Sequence, residues 1–222
     1  MTNYQFYFYL CSVILSRKMT DSDRLQIRLT ASPNAKGLIF DLDGTLIDDL
    51  GIHWQAWQKA CKHFGVDVEH DFFIALTGKP VASIAQLLIE HYRISATVEE
   101  IVRLKESFVY QHLNEAQPIK PVVDIVHDNY GRLPMAIGTG SDRPRAMLML
   151  RNAGIDTMFD VIVCAEDVEN HKPAPDTFLR CAEMMNVSPE ECQVFEDGQF
   201  GLDAARAANM IVTDIKPYIT DN

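Results

Sequence analysis

Two aspartates separated by one residue follow the first strand-like apolar run of the sequence. The run GLIF leads directly into Asp41, Leu42 and Asp43, and a Gly-Thr pair comes next. Ligands of open parallel sheets bind outside the carboxyl ends of the strands, so both carboxylates stand where chemistry is expected. At this distance the carboxylates repel each other unless a cation or a shared proton relieves them. The alternative interpretation is a simple Asp-Gly turn after a strand.

The segment PMAIGTGS is a candidate for binding an anion. It has the pattern of a buried strand that ends in small and hydroxyl residues, where Thr139 and the amides of Gly140 and Ser141 can bind an anion. A helix predicted to begin near Pro144 adds partial positive charge at this point. Gly-Thr-Gly-Ser is also an ordinary loop composition, so the segment alone does not decide the matter.

Two further segments provide a cation and a pair of carboxylates. In NHKPAPD, Lys172 precedes two prolines that fix the backbone before a helix, and its ammonium group is a point charge suited to phosphate. In QVFEDGQFG, an apolar strand pattern ends in Glu196 and Asp197, whose oxygens suit a hard cation such as Mg²⁺. The alternatives are a solvated surface lysine and an acidic turn that caps the next helix.

The elements that must position these residues alternate regularly from Gly37 onward. Short apolar runs alternate with helical stretches, which is typical of a parallel sheet covered by helices on both faces. The predicted strands are GLIF, PMAIG, DVIVC, QVFE and MIVTDI. The predicted fold class is therefore a doubly wound, Rossmann-like α/β fold. Because the four candidate segments lie at the carboxyl ends of predicted parallel strands, we expect them on one edge of the sheet.

One block of helix patterns interrupts this alternation. Apolar residues at intervals of three to four mark one helix face, and two more helix patterns follow, VASIAQLLIEHY and VEEIVRLKESFVYQHL. Consecutive helices inserted into an α/β chain indicate a separate helical cap. We therefore predict a cap over residues 50–118 and a core formed by residues 35–49 and 119–222.

Residues 1–34 are predicted to be an appendage outside the core. The apolar stretch NYQFYFYLCSVIL follows no basic residue and precedes no small-residue cleavage pattern, so it does not resemble a signal peptide. It is also too short to span a bilayer as a helix. Met19 is an alternative first residue, and residues 1–18 are expected to be dispensable for stability and turnover.

The composition restricts the class of partner. The chain has 31 acidic and 20 basic residues and a formal charge of -11, which disfavours binding to nucleic acid backbones. Its five cysteines are scattered without a CxxC pair, so neither a disulfide framework nor a thiolate zinc site is predicted. We expect a cytoplasmic protein that binds a small molecule and neither nucleic acid nor membrane, as a monomer or homodimer.

Together, the segments DLDGT, GTGS, HKPAPD and EDGQFG resemble the four motifs of the haloacid dehalogenase superfamily. The resemblance runs from about Gly37 to Ile215, and the inserted block resembles the cap of the β-phosphoglucomutase-like branch. HKPAPDTF and FEDGQFG are similar to segments of the sugar-phosphate phosphatases of that branch, including fructose-1-phosphate phosphatases. The resemblance implies a Mg²⁺-dependent phosphatase that hydrolyses a small sugar phosphate through an aspartyl-phosphate.

The resemblance also implies roles for individual residues. Asp41 would be the nucleophile and Asp43 the acid and base, with Thr139 and Lys172 as the other catalytic residues. The implied phosphate-binding residues are Leu42, Gly44, Thr139, Gly140 and Lys172. The implied Mg²⁺ ligands are Asp41, the main-chain carbonyl of Asp43, Glu196 and Asp197. Thr45 would orient the loop of the first motif.

The cap is expected to recognise the leaving part of the substrate. Candidate residues for this role are His53, Lys79 and Lys105. Mutases of this branch place an arginine on the cap to hold the second phosphate, and the corresponding position here is Val81. The loss of that bidentate clamp favours hydrolysis, although Lys79 can substitute in part. A β-phosphoglucomutase is therefore the alternative function.

Two other functions are less consistent with the motifs. A binding module that has lost catalysis would lack an aspartate of the first motif, but both are present. A dehalogenase that acts on 2-halo acids is disfavoured because the paired aspartates and the acidic pair indicate phosphoryl chemistry.

Overall fold

The structure, a computed structural model, describes residues 28–76 and 79–219. The prediction that residues 1–18 are dispensable lies outside the described residues. The described strands are β1 (Gly37–Phe40), β2 (Ile47–Asp48), β3 (Gln117–Pro118), β4 (Met135–Gly138), β5 (Val161–Val163), β6 (Cys192–Glu196) and β7 (Ile211–Asp214). The described α-helices are α1 (Leu50–Lys62), α2 (His70–Ile74), α3 (Val81–Tyr92), α4 (Val98–His112), α5 (Lys120–Asn129), α6 (Arg143–Asn152), α7 (Asp176–Met185) and α8 (Gln199–Ala207).

A parallel sheet forms the centre of the fold, with the strand order β5-β4-β1-β6-β7. Every residue of the central strand β1 is buried, as expected where helices cover both faces of a sheet. Because side chains alternate along a strand, Leu38 and Phe40 pack into one hydrophobic cluster and Ile39 packs into another. The predicted doubly wound α/β fold class is confirmed, and each strand of this sheet overlaps a predicted one.

The helices α1 to α4 form the predicted insertion, between β2 and β3. They surround a third hydrophobic cluster, which includes Trp57 and Cys61 of α1 and Leu88 of α3. The inserted helical cap is thus present. Its predicted limits at residues 50 and 118 remain a prediction.

A short antiparallel pair of strands joins the insertion to the core. Ile47 of β2 pairs with Pro118 of β3, and the amide of Ile119 donates to the carbonyl of Leu46 over 2.8 Å. The two connections of the insertion therefore run side by side. No strand is predicted here from the sequence, because two residues are too few to show an alternating pattern.

Residues 28–34 pack against the core, although the predicted appendage includes them. Leu29 is only 4% exposed and belongs to the first hydrophobic cluster. The amide of Ser32 donates to Oε1 of Gln193 on β6 over 2.6 Å. The prediction missed these contacts because the segment has no helix or strand periodicity.

Among the described residues, no helix combines the length and the apolar character that a membrane crossing requires.

We expect Leu29→Ala to lower the free energy of unfolding by about 2–4 kcal/mol, because it removes a buried side chain and leaves a cavity. Urea denaturation of the full chain measures this change. Leu148→Ala on α6 is the matched control, since Leu148 is 39% exposed, and its effect should stay within about 0.5 kcal/mol. Equal stability of the two variants would show that residues 28–34 do not belong to the core.

Candidate active site

Asp41 lies at the carboxyl end of β1 and is almost fully buried, with 6% exposure. The chain then turns sharply at Gly44, whose φ of +83° suits glycine. A Cβ at Gly44 would lie 2.9 Å from a carboxylate oxygen of Asp197, so the glycine also permits close approach of the fourth motif. Thr45 donates from Oγ1 to the same carboxylate over 2.8 Å. This turn joins the first motif to the fourth.

Lys172 lies between two buried carboxylates. Its Nζ donates to Oδ1 of Asp41 over 2.6 Å and to Oε2 of Glu196 over 2.8 Å. The ammonium group also lies 4.5 Å from the ring centroid of Phe178 on α7. Burial alone would lower the pKa of Lys172, but the charges of Asp41 and Glu196 outweigh it and raise the pKa above its ordinary value. Lys172 is therefore a permanent cation in the site.

Asp41, Glu196 and Asp197 form an acidic cluster that can hold a metal ion. One ligand atom from each residue lies within 4.8 Å of the others. Burial, and next the charge of Glu196, raise the pKa of Asp41 well above its ordinary value. The same two causes raise the pKa of Asp197 to about 6. Crowding of these carboxylates thus costs free energy that a bound cation would offset.

The backbone around Glu196 holds its carboxylate in this cluster. The amide of Gly198 donates to Oε1 of Glu196 over 2.8 Å. One helical turn later, a Cβ at Gly201 on α8 would overlap the carboxyl group of Glu196. The absence of a side chain at Gly201 therefore allows Glu196 to occupy this position.

The side chain of Asp43 contacts different residues from those that surround Asp41. Its Oδ2 accepts from the hydroxyls of Thr139 over 3.2 Å and Ser141 over 2.9 Å. Its Oδ1 accepts from Nη2 of Arg145 over 2.9 Å. Although burial opposes ionisation, the charges of Arg145 and His53 and the hydrogen bond from Ser141 hold the pKa of Asp43 below its ordinary value. Arg145 thus favours the carboxylate form of Asp43.

The loop amides differ in whether they already have partners. The Gly44 amide donates to the carbonyl of Ile47 over 2.8 Å, and the Ser141 amide donates to Oγ1 of Thr139 over 2.9 Å. Within residues 28–76 and 79–219, the amides of Leu42 and Gly140 donate to no protein group. Leu42 and Gly140 therefore fit the predicted phosphate contacts better than Gly44 does.

The structure brings two of the three cap candidates near Asp43. His53 Nε2 lies 3.0 Å from Oδ2 of Asp49 and 2.6 Å from Nη2 of Arg145. Lys105 is 1% exposed, and its Nζ donates to Glu106 over 2.7 Å. Lys79 is exposed before α3, and in the described part of the chain no hydrogen bond or ion pair joins its side chain to these residues.

Three charged residues of this region, Arg145, Asp49 and Glu106, were not predicted from the sequence. Arg145 is one of three arginines in DRPRAMLMLRNAG, and nothing in their spacing distinguishes it. Asp49 follows Asp48 directly and resembles an ordinary residue before a helix. Only the packing of α1, α4 and α6 around Asp43 identifies them.

The sequence of the chain is similar to those of known proteins. A family model described as haloacid dehalogenase-like hydrolase matches residues 38–215. The fructose-1-phosphate phosphatase YqaB of Escherichia coli K12 is 43% identical over 180 residues, which cover 81% of this chain and 96% of that protein. A phosphorylated carbohydrates phosphatase of Thermotoga maritima is 28% identical, over 79% of this chain and 82% of that protein.

A solved structure extends the similarity to the fold. The β-phosphoglucomutase of Clostridium difficile superposes with a TM-score of 0.68 and 28% identity, over 81% of this chain and 84% of that one. The predicted resemblance, including its β-phosphoglucomutase-like branch, is therefore confirmed. Since the family model matches most of the chain, and a relative of 43% identity is covered almost completely, the chain belongs to the haloacid dehalogenase-like hydrolase family.

Proposed function

We propose that the protein is a Mg²⁺-dependent phosphatase that hydrolyses a small sugar phosphate, such as fructose 1-phosphate, through an aspartyl-phosphate on Asp41. The observation that carries this proposal is the position of Asp41 between Lys172 and the Glu196/Asp197 pair, beside Asp43. Further support comes from the relative named as a fructose-1-phosphate phosphatase, which this chain matches over 96% of its length.

The residues around Asp41 fit a divalent cation. The ammonium group of Lys172 offsets only one of the three negative charges of ionised Asp41, Glu196 and Asp197. Two negative charges remain, and an all-oxygen ligand set is the kind that Mg²⁺ prefers. When bound, the ion would offset the negative charge of the phosphoryl group as it approaches Asp41. The main-chain carbonyl of Asp43 would complete the protein ligands.

In the first step, a carboxylate oxygen of Asp41 attacks the phosphorus atom of the substrate. A bond forms between that oxygen and phosphorus, and the bond from phosphorus to the sugar oxygen breaks. Lys172 and the hydroxyl of Thr139 hold the phosphoryl oxygens, together with the unpartnered amides of Leu42 and Gly140. Because the two amides have no partner among the described residues, they can stabilise the developing charge without breaking a hydrogen bond, whereas the Thr139 hydroxyl must turn from Asp43 to the phosphate.

Asp43 provides the proton that the leaving sugar oxygen needs. Although burial opposes ionisation, Arg145, His53 and Ser141 favour the ionised form of Asp43. A bound phosphate adds negative charge next to Asp43 and raises its pKa, so that the carboxyl can take up a proton and donate it. Once ionised again, Asp43 removes a proton from the water that attacks the aspartyl-phosphate, which regenerates Asp41 and releases phosphate.

The helical insertion would bind the sugar part of the substrate. His53 lies within this charged region, which suits hydrogen bonds to sugar hydroxyls. Val81, the first residue of α3, is 37% exposed and offers an apolar surface in place of the arginine that holds a second phosphate in mutases. Hydrolysis is therefore favoured over transfer to a second hydroxyl. The protein is proposed to act in the cytoplasm on free metabolites.

We expect steady release of inorganic phosphate from fructose 1-phosphate or another small sugar monophosphate when Mg²⁺ is present. With β-glucose 1-phosphate and a bisphosphate primer, no net conversion to glucose 6-phosphate should occur, because Val81 stands where the mutases carry the arginine that holds the second phosphate. Phosphorus NMR follows both products in one sample. Asp41→Asn is the matched control, since it keeps the shape of the side chain but removes the nucleophile. Formation of glucose 6-phosphate faster than free phosphate would favour the mutase.

We expect Gly201→Ala to raise the Mg²⁺ concentration needed for half-maximal activity by about 10- to 100-fold, because the new Cβ displaces a ligand of the ion. Titration of Mg²⁺ against phosphate release measures the change. Gly51→Ala is the matched control, since a Cβ at Gly51 meets nothing within 4 Å, and its Mg²⁺ requirement should match that of the wild type. An unchanged requirement in Gly201→Ala would remove Glu196 from the ion site.

A further inference from the structure

Arg145 of α6 is a buried cation that contacts carboxylates from three parts of the chain. Its exposure is 7%, and its Nη2 donates over 2.9 Å both to Oδ1 of Asp43 and to Oδ2 of Asp49. Its Nη1 lies 3.6 Å from Oε2 of Glu106. One guanidinium group therefore joins the end of β1 to the start of α1 and to the middle of α4.

One of these partners lies in the helical insertion, and a second lies at its start. Asp49 directly precedes α1, and Glu106 lies on α4, whereas Asp43 and Arg145 lie on the sheet side. A second contact between α4 and α6 is near, because the hydroxyl of Tyr110 donates to the carboxylate of Asp142 over 2.8 Å. The position of Asp43 is thus tied to the docking of the insertion on the core.

The charges around Arg145 exclude a simple role as a phosphate clamp. Three carboxylates already surround its single positive charge, and they would repel a second phosphate. Its Nη2 is occupied by the protein, since it contacts Asp43, Asp49 and His53, whereas the buried Nε has no hydrogen-bond partner among the described residues. These contacts favour a role in holding other side chains.

We propose that Arg145 is a positioning residue that holds the carboxyl group of Asp43 at the leaving oxygen by tying it to Asp49 and Glu106 of the insertion. This inference rests on the proposed phosphatase function. The planar guanidinium group is suited to the task, because it donates to several carboxylates at fixed angles, which the single ammonium group of a lysine cannot do. Without Arg145, Asp43 and the 3% exposed Asp49 would repel each other and separate.

The leaving group of the substrate provides a test that is specific to this role. A sugar alcohol needs a proton from Asp43 as it departs, whereas p-nitrophenolate departs without one. In Arg145→Met, we expect the rate of leaving-group release in a single turnover, which reports the first step alone, to fall about 100-fold with fructose 1-phosphate, in the range of a lost general acid, and to change little with p-nitrophenyl phosphate. Arg145→Lys should lose less than Arg145→Met, because it keeps the charge and one of the hydrogen bonds.

Two further variants separate positioning from folding. Arg151→Met, on the same helix but with a side chain that is 66% exposed, is the matched control and should behave as the wild type with both substrates. Asp49→Asn keeps the shape of its side chain and should show the same dependence on the leaving group. The combined variant Asp49→Asn/Arg145→Met should lose less than the product of the two single losses, since both remove one network.

The outcomes distinguish this inference from the proposed function. Equal losses with both substrates, or no loss, in Arg145→Met would overturn the positioning role while leaving the phosphatase in place. If a thermal denaturation control shows that Arg145→Met does not fold, Arg145→Lys and Asp49→Asn replace it. In these variants the rate with fructose 1-phosphate should fall more than the rate with p-nitrophenyl phosphate. A wild-type protein that releases phosphate from neither substrate would instead remove the proposed function itself.

Discussion

Repulsion among carboxylates at the carboxyl edge of the sheet is the constraint on which the site depends. Asp41, Asp43, Glu196 and Asp197 converge there because β1 and β6 are adjacent and parallel. Two buried cations form ion pairs with different members of this group, since Lys172 pairs with Asp41 and Glu196 while Arg145 pairs with Asp43. The pKa values of the two aspartates of the first motif therefore shift in opposite directions. The pKa of Asp41 is raised by burial and Glu196, whereas that of Asp43 is lowered by Arg145 and His53.

Close backbone packing makes this convergence possible. Gly44 lets the first motif turn against Asp197, and Gly201 leaves the volume that the Glu196 carboxyl group occupies. Asp49, at the start of the helical insertion, and Glu106 of α4 then add two more carboxylates, which Arg145 connects to the sheet edge. The chemistry of the core and the docking of the insertion therefore share one network of charges.

Much of this organisation can be predicted from local pattern. The strands of the parallel sheet and the four motif segments can be predicted from apolar runs that end in polar residues, because a strand pattern is a local property of the sequence. Their position at one edge follows because ligands of parallel sheets bind at the carboxyl ends of the strands. The apolar face of α1, with Trp57 and Cys61, is local in the same way. Tertiary contacts decide the rest. Arg145 and Asp49 become partners only when segments 96 residues apart meet, and Leu29 joins the core without any periodicity.

If Asp41 carries the phosphoryl group during turnover, its side chain must be chemically different from every other aspartate at that moment. Acid quenching during steady hydrolysis, followed by borohydride reduction, converts an aspartyl-phosphate to homoserine. Mass spectrometry of the peptide that contains residue 41 should then detect homoserine at this position, only with substrate present and never in Asp41→Asn. Rapid phosphate release with unmodified aspartate at position 41, while a reference acyl phosphate in the same sample is reduced, would contradict the covalent mechanism.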